Sequence, residues 1–140
     1  MIVNFELLMW CIVIGGVYLL LTDFIWNIFE RIVPTLQNFP KELIDSKGVT
    51  WFVCNYIVEF IFFVLLPAVI YGWFYAIIPF SGIRGGLALA LLILVFGMVP
   101  LSILISFRIR LPVVFILFQL TGMLIKICGA LGIIGYLYSL

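Results

Sequence analysis

Histidine is absent from the 140 residues, cysteine occurs three times, and only 9% of the side chains are charged. Each shortage closes off a class of chemistry. Without imidazole there is no histidine-ligated haem, no histidine general base and none of the usual zinc sites. Cys11, Cys54 and Cys128 stand apart with no CxxC pair, and read as small apolar fillers rather than a disulfide or a cluster site. A net charge of +1 offers neither a basic field for nucleic acid nor an acidic tail. No serine sits in a nucleophile elbow, and glycine-rich nucleotide fingerprints are missing. No catalytic residue, cofactor ligand or metal ligand is expected.

What abounds is hydrocarbon. The hydrophobic fraction is 67% and the mean hydropathy +1.43, where soluble domains carry about 45–50% apolar and about 25% charged residues. A water-soluble fold of this length could not hide that much apolar surface, so a bilayer is the expected solvent. Charge-free runs cover 7–22, 60–83, 85–107, 111–125 and 127–140. A spanning helix needs roughly 20 mostly apolar residues, which gives four spans at about 5–29, 51–79, 86–107 and 112–138. The runs are continuous rather than alternating, which argues against a β-barrel. The expected fold is all-α: one polytopic domain over 1–140, an integral-membrane bundle of four transmembrane helices with short loops. Pro67 should kink the second span and Pro100 bend the third.

Lysine and arginine in the short loops set the orientation. The 30–50 connection and the 108–111 turn hold Arg31, Lys41, Lys47, Arg108 and Arg110, against Arg84 alone on the other side. Both termini are therefore expected on the non-cytoplasmic side of a plasma (inner) membrane, with the 30–50 connection in the cytoplasm. In that connection Pro34 and Pro40 interrupt the first helix, and 40–47 could lie on the surface as a short helix, as a tether or a docking element. The turn Phe80-Ser81-Gly82-Ile83-Arg84-Gly85-Gly86 lacks Walker spacing and a lysine, and reads as a tight hairpin turn.

Ionisable groups at membrane depth are costly, so each is a functional candidate by default. Glu59 lies well inside the second span and Lys126 inside the fourth. On the fourth helix Gln119, Gly122, Lys126 and Gly129 recur every three or four residues, and on the second Asn55 and Glu59 share a face. An intramembrane polar cluster of Asn55, Glu59, Gln119 and Lys126 is expected, with Glu59 paired to Lys126. Its two readings are interhelical glue, or a proton or cation relay. Asp23 lies within two turns of the inner interface, where solvation is the default, and joins the relay only if it faces the bundle. Gly122, Gly129, Gly132 and Gly135 are expected to let helices approach closely, or to seat a partner helix or a bound lipid.

Small size, minimal loops and missing ligands favour a non-catalytic accessory or scaffold subunit of a larger membrane complex. Its partners would be the lipid bilayer and other membrane subunits or copies of itself, with no nucleic acid. The alternative is a small oligomeric transporter or channel using the Glu59, Lys126 and Gln119 cluster.

Overall fold

Asn4 opens the first helix by accepting hydrogen bonds from the backbone N–H groups of Glu6 (3.2 Å) and Leu7 (3.5 Å), the role of an N-cap. The structure, a computed structural model, describes residues 4–32 and 48–140, and its regular elements there are all helical. They form four helices long and apolar enough to cross a membrane: α1, Phe5–Ile32; α2, Val49–Phe74; α3, Gly82–Arg108; and α4, Val113–Ser139. Most of the 30–50 connection, including the short helix expected over 40–47, lies outside the described residues.

Helix α2 ends at Phe74, earlier than the 79 read from the sequence. A turn over 75–77 follows, with Ile77 and Ile78 N–H groups both returning to the Phe74 carbonyl. Pro79 therefore stands beyond the helix instead of closing it. Gly82 then opens α3 with φ of 66°, a left-handed backbone that glycine adopts without a Cβ clash.

Neither Pro67 nor Pro100 interrupts its helix, because a wide turn precedes each one. Residues Ile61–Leu65 and Leu94–Met98 are π-helical, and each proline falls two residues after its wide turn. The Leu66 N–H bonds to the Ile61 carbonyl and the Val99 N–H to the Leu94 carbonyl, five residues back. A proline cannot donate to the carbonyl four residues earlier, and its ring crowds that oxygen. Widening the turn by one residue lets the helix continue past it.

Helix α4 is the element on which the other three pack. Cys11, Ala68, Tyr71, Ala90, Ile127, Leu131 and Ile134 form the main apolar core, with all four helices represented. A second buried set, Leu19, Val64 and Ala130, joins α1, α2 and α4. Tyr56 donates to the Gly16 carbonyl (2.9 Å) and Tyr18 to the Ile125 carbonyl (3.0 Å), tying α1 to each neighbour.

The far half of α4 meets α3 backbone to backbone. A Cβ on Gly86 would collide with the Leu131 carbonyl, and one on Gly135 with the Gly82 carbonyl. The other half of α3 stands away from the bundle, with Phe96, Leu101, Leu104 and Phe107 exposed and nothing within 4 Å of a Cβ placed on Gly97.

Candidate functional site

Lys126 is buried, and its stem carries the ammonium into a space between α1 and α2. Nζ lies 2.9 Å from both Glu59 oxygens and 2.7 Å from Asp23 Oδ1. The side chains of Asp23 and Lys126 are 3% and 8% exposed and that of Glu59 is 18% exposed, so the third partner is sealed as tightly as the lysine. Interfacial solvation of Asp23, the default expected from its position, is not what the structure shows. Helix α1 runs on to Ile32, which leaves Asp23 nine residues inside it and turned toward α4.

The three residues sit at the same level of the bundle. By helical rise they lie about 14, 15 and 20 Å from Ile32, Val49 and Val113, the helix ends on the side of Arg31 and Arg108, hereafter the basic end. The lysine starts deepest, and its flexible stem makes up the difference. One turn farther from the basic end, each residue is followed on its own helix by a fully buried apolar one: Leu19 after Asp23, Val64 after Glu59, Ala130 after Lys126. The steps are four residues on α1 and α4 but five on α2. An α-helix would rotate a five-residue step off the face, and the wide turn at Ile61–Leu65 restores it.

Toward the basic end the character reverses. One turn down stand Asn27 on α1, Asn55 on α2 and Gly122 on α4. Asn27 Oδ1 is buried without a hydrogen-bond partner. Asn55 is half-buried and no hydrogen bond joins it to the cluster among the described residues. Gln119, expected beside Glu59, instead donates to Glu30 Oε1 at 3.3 Å. The polar column thus runs from Glu30 and Gln119 to the Asp23–Glu59–Lys126 triad and stops at the Leu19–Val64–Ala130 layer. Asn27 and Glu30 were not singled out from sequence, although Asp23, Asn27 and Glu30 follow the i, i+4, i+7 pattern of one helix face.

The glycines divide. A Cβ on Gly122 would lie 2.6 Å from the Trp26 ring, which stacks on Phe118 at 4.5 Å, and one on Gly129 would enter the Tyr18 ring. Gly135 allows the approach of α3. Gly132 makes no such approach: its nearest neighbour would be Leu87, 4.0 Å away. It lines an open apolar groove of about 460 Å³ between α1 and α3, bordered by Tyr18, Leu87, Gly129 and Tyr136.

Chemically the triad is two carboxylates on one ammonium. Stripping water from ions costs several kcal/mol each, which only close pairing offsets. Glu59 takes two of the three Lys126 hydrogens, whereas neither Asp23 oxygen has a hydrogen-bonded donor even though Oδ1 touches Nζ. A scan against protein-family models, a search of curated proteins and a search of solved structures each find no match.

Proposed function

We propose that this chain is a multi-pass protein of the plasma membrane acting as a non-catalytic accessory or scaffold subunit of a larger assembly. The observation that carries this reading is the open groove over Gly132. In lipid, helices associate through close van der Waals contact at small residues rather than through water exclusion. A groove floored by Gly132, with Gly129 at its edge beneath the Tyr18 ring, is open above that one glycine and suits the ridge of a helix from another subunit. The exposed apolar half of α3 enlarges the surface available to such a partner.

Extraction in mild detergent followed by native mass spectrometry tests the proposal. A foreign subunit in fixed stoichiometry is the expected result. Gly132→Leu should abolish that association while leaving thermal unfolding unchanged, because a side chain there points into open space. The orientation is part of the same proposal, with the basic end in the cytoplasm. Cysteine introduced at Lys41 should label only from the cytoplasmic side, and cysteine at Ser81 only from outside.

A second reading, a small oligomeric transporter or channel, draws on the triad. Among the described residues the polar column does not cross a single chain, since the Leu19–Val64–Ala130 layer closes it. A homogeneous homo-oligomer that moves a solute into liposomes, and loses that on Glu59→Gln, would replace the subunit reading with this one.

A further inference from the structure

We propose that Asp23 and Glu59 hold one exchangeable proton between them above Lys126, which makes the triad a proton-binding site. Three observations converge on this ligand. The first is charge: two carboxylates and one ammonium leave an excess of one negative charge in a space where the Asp23 side chain is 3% exposed. The second is a shortage of donors, for Asp23 Oδ2 and Asn27 Oδ1 are both buried acceptors with nothing donating to them. A buried acceptor left without a donor is costly, and a proton on the carboxyl pair supplies the missing one. The third is geometry: both acids are fixed on one nitrogen from different helices, Glu59 by both oxygens at 2.9 Å and Asp23 by Oδ1 at 2.7 Å.

The occupant is a proton rather than a metal ion. Among the described residues no three acidic or cysteine side chains converge, and Lys126 fills the position a cation would take. The groups facing the site are few. Helix α1 brings Asp23 and Asn27, with Glu30 two turns below Asp23. Helix α2 brings Glu59 and Tyr56, whose hydroxyl is committed to the Gly16 carbonyl. Helix α4 brings Lys126, and below it Gln119 on Glu30. Helix α3 brings no titratable group, its Arg84 and Arg108 standing at its two ends.

The step is a simple one. A hydronium ion gives up one O–H bond and leaves as water while its proton bonds to one carboxylate oxygen; the charge of that carboxylate is cancelled, and the other keeps its pairing with the ammonium. Release reverses it. The polar column of Asn27, Glu30 and Gln119 gives access from the basic end, and the apolar layer blocks the opposite side.

Infrared spectroscopy of the full chain in lipid nanodiscs reads the proton directly, through the C=O stretch of a protonated carboxyl and its shift in D2O. At neutral pH the wild-type chain should show this band in choline chloride and in sodium chloride alike. Asp23→Asn and Glu59→Gln should each abolish it, because the remaining carboxylate is then matched one to one by Lys126. A wild-type chain lacking the band overturns the proposal, as does a band that survives in either variant. A band lost on exchanging choline for sodium would make the occupant a metal cation, which also overturns it. Should a variant fail to fold, the two wild-type spectra still decide.

Discussion

From its midpoint toward the basic end, α4 is joined to α1 and α2 by charge and hydrogen bonds through Lys126 and Gln119; in its other half it meets α3 through bare backbone at Gly135 and Leu131. The two contacts fail differently. A cluster of buried ions holds only while the ammonium keeps at least one carboxylate, so its strength depends on the balance of charge rather than on shape. A glycine contact is indifferent to charge but intolerant of a single added carbon. The ionic contact joins α4 to α1 and α2, and the glycine contact brings the α3 and α4 backbones together.

The comparison is broken most severely at Lys126. Lys126→Met strands two buried carboxylates and should cost about 3–5 kcal/mol, read from thermal unfolding in detergent. Gly86→Leu attacks the other contact by driving a side chain into the Leu131 carbonyl, and a loss of about 1–3 kcal/mol or more is expected. Substituting the acids one at a time should do far less. Asp23→Asn or Glu59→Gln leaves a balanced pair, and each should change stability by about 1 kcal/mol or less. Gly97→Ala marks the lower bound: with open space around it, the gain in helix propensity should stabilise by up to about 1 kcal/mol. Equal losses at Gly86 and Gly97 would show that α3 is not held where the structure has it.

Much of this arrangement was legible in the sequence. The apolar runs mark the four helices, and the turn-by-turn spacing of Gln119, Gly122 and Lys126 points α4 toward the Glu59 side of α2. Asp23 was harder to place. Its nearness to a helix end makes solvation the default, and only the continuation of α1 to Ile32 buries it. Gln119 went to Glu30 for the same reason, because the longer helix brings that acid level with it. The wide turns had a signal, a proline in mid-span, but proline alone does not distinguish a kink from a π-turn. Only the five-residue step from Glu59 to Val64 reveals which occurred. Gly132 shares its stripe with Gly129 and Gly135, and no periodicity tells a filled notch from an empty one.

The balance of charge at the triad is tested most directly by a double-substitution cycle on its two acids, followed by thermal unfolding of all four proteins in one detergent. Each single neutral amide should be tolerated, whereas Asp23→Asn combined with Glu59→Gln should strand the ammonium and cost several times the two losses added together. Additive losses would contradict the account, since they would mean that the two carboxylates do not share Lys126.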